Sequence, residues 1–212
     1  MKVVLANSYR SLGGVELWQL RFAKFLSTHQ DQVRFFLRPG KFSQLVKQEG
    51  FKVIEIPMKF DLEPYSIFKF YKELKNFGAE VVIFNSRRDL GTGAIGASWA
   101  RVPLKVQRKG WTALGLRDRV FYSWIDYVVC VSREIEELLH KRLGIPSAKL
   151  FYLPNGVQIG KFKKADAREL RNQLGRKNQE FLIGMSGRLA KNKRQRDLIQ
   201  AGKILIDKGY KI

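Results

Sequence analysis

Two short stretches combine residue types suited to handling a phosphate, and a third marks a turn. Ser11-Leu12-Gly13-Gly14-Val15-Glu16 lies between an apolar run and a helix-like one. A glycine pair there lets the backbone turn tightly and approach a ligand, and a helix N-terminus offers free N–H groups to an anion. A plain strand-to-helix turn explains the pair equally well. The G-x-G-x-x-G fingerprint is absent, which disfavours a nicotinamide or flavin enzyme. Ser186-Gly187-Arg188-Leu189 repeats the setting, with Lys193 five residues after Arg188. Arg188 brings a planar fork for bidentate phosphate contact and Lys193 a mobile point charge, although a charged surface loop would have the same composition. Leu153-Pro154-Asn155-Gly156-Val157 marks a tight turn and implies no chemistry alone. His29 and His140 are far apart with no cysteine pair beside them, so no histidine-based metal site is expected. Cys130 is the single cysteine, which excludes an internal disulfide and fits a reducing compartment.

The elements that position these stretches follow from hydrophobic periodicity. Apolar runs fall at 3–6, 33–37, 52–57, 80–84, 102–106, 127–131 and 150–153, several of them rich in β-branched and aromatic residues. Nearly continuous hydrophobicity marks strands covered on both faces. Between the runs, 15–26 carries Val15, Trp18, Phe22, Phe25 and Leu26 as one apolar stripe, and 133–143 repeats the pattern behind an N-capping Ser132. This alternation predicts an α/β fold, a doubly wound and mostly parallel Rossmann-like sheet. Composition shifts near 160. Residues 1–160 read as one Rossmann-like domain, 161–178 as a basic, helix-prone linker, and 179–212 as the first β-α unit of an incomplete second lobe with its strand at Phe181–Met185. A unit that short does not enclose a core of its own.

In this order and spacing the motifs resemble those of the retaining glycosyltransferases of family 4, which have the GT-B fold. The matching residues are Gly13-Gly14-Val15-Glu16, Val131-Ser132, Pro154-Asn155-Gly156-Val157, and Gly187-Arg188-Leu189 with Lys193. The resemblance spans the whole chain. It implies transfer of a sugar from a nucleotide diphosphate sugar, with retained configuration and no metal or other cofactor. The acceptor would sit on the first domain and the donor mainly on the second. The resemblance makes Arg188 and Lys193 the catalytic cations, and Gly13, Gly14, Arg188 and Lys193 the donor-phosphate site; Glu16, Arg108 and Lys109 are expected on the acceptor. After the fifth run, where many relatives have a histidine, this chain reads Val106-Gln107-Arg108-Lys109-Gly110, which suits an anionic glycan or glycolipid such as lipopolysaccharide core. The family's carboxy-terminal domain extends beyond the point where this sequence stops, so the chain alone is expected to be incomplete for catalysis. A non-catalytic acceptor- or membrane-binding remnant is the alternative.

Charge narrows the partners. The 212 residues include 40 Lys and Arg against 19 Asp and Glu, a net charge of +21. Residues 161–212 alone hold fifteen basic and five acidic side chains. Such an excess calls for an acidic partner. A basic nucleic-acid binder would share the charge, but no RNP1, zinc-finger or basic-heptad motif occurs. Trp99, Trp111, Phe121, Tyr122 and Trp124 interleave with Arg101, Lys105, Arg108, Lys109, Arg117 and Arg119, and 65–77 has a similar mixture. These aromatics read either as core or as a peripheral contact with an anionic membrane. No run is long enough to span a bilayer, and the first apolar run is too short for a signal peptide. The expected location is cytoplasmic, at the inner face of the membrane if that contact exists.

Overall fold

The computed structural model describes residues 1–115, 117–157, 159–160, 168–175, 181–187, 189–191, 193–210 and the backbone of 167 and 192. They form two compact units, Met1–Gly156 and Val157–Ile212.

The first unit is a seven-stranded parallel sheet in the order β3-β2-β1-β4-β5-β6-β7. Its strands are β1 (Lys2–Asn7), β2 (Gln32–Leu37), β3 (Lys52–Glu55), β4 (Val81–Phe84), β5 (Leu104–Lys109), β6 (Tyr127–Cys130) and β7 (Leu150–Tyr152). Helices α1 (Gly14–Thr28), α2 (Lys41–Gln48), α3 (Pro64–Phe77), α4 (Arg87–Trp99), α5 (Asp118–Ser123) and α6 (Arg133–Leu143) connect them. Every one of the seven apolar runs contributes to a strand. Side chains alternate across the sheet, as the pleat requires. Val3, Leu5, Phe35 and Leu37 join the core beneath α1 and α2, while Val4, Ala6, Phe36, Val82 and Phe84 join the larger core on the other face. Phe70 lies at the centre of that second core, fully buried and tilted against Phe36 and Phe84.

Strand order reverses between β1 and the central strand, β4. In open parallel sheets a crevice opens outside the carboxyl ends of strands at such a switch point. Packing there is close. Gly96 of α4 faces α3, where an added Cβ would come within 2.7 Å of the Ile67 carbonyl and 2.6 Å of the Phe70 Cβ.

Three expectations need correction. Helix α1 buries Glu16, Gln19, Leu20, Ala23 and Leu26, so of the expected stripe only Leu26 is buried. Phe25 is exposed, and Trp18 and Phe22 stack on each other at 5.2 Å on a half-buried flank. The helix is rotated because Glu16 and Gln19 are needed under the end of β1, as described below. Strand β5 begins later than the fifth apolar run and extends through Gln107, Arg108 and Lys109, which pair with Val128, Val129 and Cys130. Arg108 and Lys109 are therefore strand residues. In the second unit Phe181–Met185 forms no strand. A parallel strand needs a neighbour for its ladder, and the described residues of this unit supply none. That unit contains helix α7 (Ala167–Gln173), a 3₁₀ turn at Lys191–Lys193 and helix α8 (Gln195–Asp207).

Candidate functional site

The carboxyl ends of β1, β2, β4 and β5 carry a concentration of polar side chains, organised by a buried hydrogen-bond network. Asn7, the last residue of β1, donates from Nδ2 to Glu16 Oε1 at 3.2 Å and to Gln19 Oε1 at 3.0 Å. Its Oδ1 accepts the Tyr9 N–H at 2.8 Å, which sets the turn leaving the strand. Gln19 in turn donates to the Ala6 carbonyl at 3.1 Å. Burying these groups is affordable only because each is paired.

The β4–α4 turn is held from inside by Asp89. This fully buried carboxylate accepts the N–H groups of Asn85 and Ser86 at 2.8 and 3.1 Å and completes a capping box with Ser86. Burial pushes its pKa up to about 7, against the pull of those two N–H groups. Asn85 Nδ2 reaches across to the Ala6 carbonyl at 3.3 Å, and the Ser8 and Ser86 hydroxyls lie 2.5 Å apart. The two turns thus form one joined rim.

Two hollows adjoin on this rim, sharing Tyr9, Ser86 and Arg87. The smaller, about 250 Å³, is lined among others by Asn85, Gln107, Lys109, Trp111 and Tyr122. Asn85 Oδ1 and Gln107 Oε1 are buried with no hydrogen-bond partner, while the Trp111 ring is 63% exposed. Lys109 donates to the Ala113 carbonyl at 2.8 Å, and burial lowers its pKa. Arg87 braces the floor by pairing with Asp118 at 2.6 Å, and the other Asp118 oxygen accepts the Gly115 N–H at 2.9 Å. Partnerless amide acceptors and an exposed ring among the residues of one lining suit a ligand with hydroxyl donors and an apolar face. The larger hollow, about 450 Å³, is lined by Arg10, Arg38, Arg87 and Arg88 with Ser8, Ser11 and Asp61.

The residues singled out from sequence are distributed unevenly over this geometry. Lys109 lines the smaller hollow. Arg108 lines neither. It is 3% exposed, lies 4.1 Å above the Trp18 ring and donates to Asn155 Oδ1 at 2.6 Å. Burial lowers its pKa to about 10, partly opposed by Glu16. Arg108 thereby fastens the Pro154-Asn155-Gly156 turn to the sheet. Glu16 is buried under Asn7. Gly13 is the extended N-cap of α1, and an added Cβ would press on Glu16 Oε2 at 3.0 Å; Gly14 faces open space. Lys193 is exposed at the end of its 3₁₀ turn, next to Arg194 in the left-handed region at φ 57°. Arg188 lies outside the described residues. Among the described residues no three His, Cys, Asp or Glu side chains come together in a metal-binding group.

Tyr9, Arg10, Arg38, Asn85, Arg87, Arg88 and Trp111 did not emerge from motif reading. They share one signal that sequence does contain: each lies within a few residues of the end of an apolar run, where a parallel sheet places its ligands.

Comparison with known proteins bears on the fold and the family. The UDP-Gal:α-D-GlcNAc-diphosphoundecaprenol α-1,3-galactosyltransferase of Escherichia coli is 28% identical over 158 residues, covering 67% of this chain and 40% of that protein. The capsular polysaccharide biosynthesis glycosyltransferase CapM of Staphylococcus aureus is 25% identical over 228 aligned positions, covering 90% of this chain and 57% of that one. Among solved structures, Anabaena HepE in complex with UDP-glucose superposes with a TM-score of 0.74 at 21% identity, over 95% of this chain and 57% of its own. The chain therefore spans about half the length of these relatives, and its sheet unit has the Rossmann-like architecture of a GT-B lobe. The profile of Glycosyltransferase Family 4 matches residues 12–161, more than half of the sequence, and the chain belongs to that family.

Proposed function

We propose that this chain supplies the acceptor-side lobe, and the beginning of the donor-side lobe, of a retaining glycosyltransferase. The enzyme moves a hexose from a nucleotide diphosphate sugar to an anionic glycan or glycolipid of the cell envelope. The observation that carries this reading is the smaller hollow, where two buried amide oxygens without partners sit in the same lining as an exposed tryptophan. A sugar ring offers hydroxyl donors to Asn85 and Gln107 and an apolar face to Trp111. Relatives named for UDP-galactose and UDP-glucose favour a uridine diphosphate sugar as donor.

The chemistry follows from the leaving group. As the bond to the diphosphate breaks, negative charge grows on a phosphate oxygen. By the family resemblance, cations at Arg188 and Lys193 would stabilise that charge more in the transition state than in the ground state, with the N–H groups of Gly13 and Gly14 as their expected partners. No metal is required for this step. The reaction leaves the donor's anomeric configuration unchanged. A carbohydrate acceptor of this type is carried on lipid, which places the enzyme at the inner face of an anionic membrane.

The test is transfer of labelled hexose from UDP-glucose and UDP-galactose to a synthetic polyprenyl-diphosphate N-acetylglucosamine, with the product's anomeric configuration read by NMR. The polypeptide used carries a complete second lobe. Retained configuration is expected, with a fall in kcat of roughly 10² to 10³ for Lys193→Ala. An inverted product would refute the mechanism. Normal kcat in Lys193→Ala would remove the role given to that cation. Binding of the acceptor without transfer from any nucleotide sugar would favour the non-catalytic acceptor-binding reading.

A further inference from the structure

The larger hollow contains a charge arrangement that the reaction above leaves unexplained. Arg10 follows β1, Arg38 follows β2, and Arg88 stands in the first turn of α4 after β4. Three successive strands of the sheet thus deliver one guanidinium each to a single hollow of about 450 Å³. Arg87, a fourth, is already committed to Asp118 at 2.6 Å and Asp61 at 3.6 Å. Arg10 donates only to the Pro39 carbonyl, at 3.0 Å. Among the described residues Arg10, Arg38 and Arg88 form no ion pair. The acid acting on Arg38 is Glu63, whose Oε2 already accepts the Lys59 N–H at 3.0 Å and the Ser66 hydroxyl at 2.5 Å.

Arginines gathered without an ion pair of their own repel. Partial burial, followed by the fields of Arg88 and Arg10, holds the Arg38 pKa below its usual value. A dianionic ligand would relieve that repulsion, and guanidinium forks match phosphate oxygens bidentately. Ser8, Ser11 and Ser86 add hydroxyls to the same lining.

Resting on the transferase reading, we propose that Arg10, Arg38 and Arg88 form a subsite for the phosphate or diphosphate that joins the acceptor sugar to its carrier. The neighbouring hollow, which shares Tyr9, Ser86 and Arg87, takes the sugar itself. The acceptor class is then a sugar phosphodiester or diphosphodiester. A neutral glycan leaves the three arginines without a partner.

Calorimetric titration of the 212-residue chain with inorganic pyrophosphate at fixed ionic strength tests this. The double variant R38Q/R88Q is expected to bind at least about tenfold more weakly, since each lost charged hydrogen bond is worth that much. K141Q/R142Q, which removes the same charge from α6 outside both hollows, is expected to bind as the parent does. Equal weakening by both variants, or weakening by neither, would overturn the subsite by reducing it to the general field of a +21 chain. A parallel titration with UDP separates the two sources of diphosphate. Unchanged UDP affinity in R38Q/R88Q supports the acceptor assignment, and loss of UDP and pyrophosphate affinity together overturns it. If the double variant fails to fold, R10Q and R88Q singly carry the same comparison. Continued transfer with an unchanged acceptor KM in R38Q/R88Q would remove the subsite and leave the transferase standing. Absence of transfer in the parent would remove the transferase reading, whatever pyrophosphate does.

Discussion

The buried carboxylate of Asp89 holds the β4–α4 turn, one of the two that make the rim of the site. Its pKa, raised to about 7 chiefly by burial, gives this role a pH signature. The unfolded chain releases that proton near pH 3.9, whereas the folded chain keeps it until about 7. The folded state therefore binds the extra proton between those values, and stability falls as pH rises through that window. Asp89→Asn keeps the oxygen that accepts from Asn85 and Ser86 and has no proton to lose. Its thermal midpoint should gain on the parent's as pH goes from 4 to 7. In a unit of this size each kcal/mol moves the midpoint by about 2–4 °C, so the effect is readable by calorimetry. Parallel pH profiles for the two proteins would contradict it. At this scale the motifs were informative in part. Lys109 is in the hollow, while Glu16 and Arg108 are buried supports. A residue's place in a motif does not say which of its neighbours will claim its hydrogen bonds.

Elements were easier to read than sites. All seven strands were legible because a parallel strand covered on both faces must be apolar almost throughout. Strand β5 departs from this at its carboxyl end. Its Gln107, Arg108 and Lys109 are strand residues because pairing with β6 fixes the backbone regardless of polarity. Helix α4 was not legible at all. Gly91, Gly93 and Gly96 leave it without an apolar stripe, and their use is apparent only when Phe121 of α5 packs on Gly91 and α3 packs on Gly93 and Gly96. Gly96→Ala raises helix propensity but drives a methyl into the Ile67 carbonyl and Phe70. We expect a loss of about 1–3 kcal/mol in urea unfolding, because a close-packed interface does not absorb the extra volume. A neutral or stabilising Gly96→Ala would show that α3 and α4 have room to separate. Phe70→Ala, by contrast, empties the core and should cost about 3–5 kcal/mol.

The aromatic-basic stretches divide in two over the whole molecule. Phe70, Phe77, Phe121 and Tyr122 are core, whereas Tyr65, Phe68, Trp99 and Trp111 are exposed. Sequence could not separate them, since both sets have the same composition and only packing tells them apart. Phe60, Tyr65 and Phe68 occupy the start of α3 and the segment before it, with Lys69 over the Tyr65 ring. No described helix is long and apolar enough to cross a membrane. Exposed rings beside cations on a +21 chain suit an anionic surface instead. At low salt the chain should co-float with vesicles containing phosphatidylglycerol, and Phe60→Ser/Phe68→Ser should weaken that several-fold. Flotation that is equal in both proteins would assign the binding to charge alone, and no flotation would end the membrane contact.

The central claim is that the carboxyl edge of this sheet holds the acceptor. Amide chemical-shift mapping with a lipid-free, diphosphate-linked N-acetylglucosamine tests it most directly. The account predicts the largest shifts at Tyr9, Arg38, Ser86, Arg88, Gln107 and Trp111. Shifts confined to other surfaces, or none at saturating ligand, would contradict it.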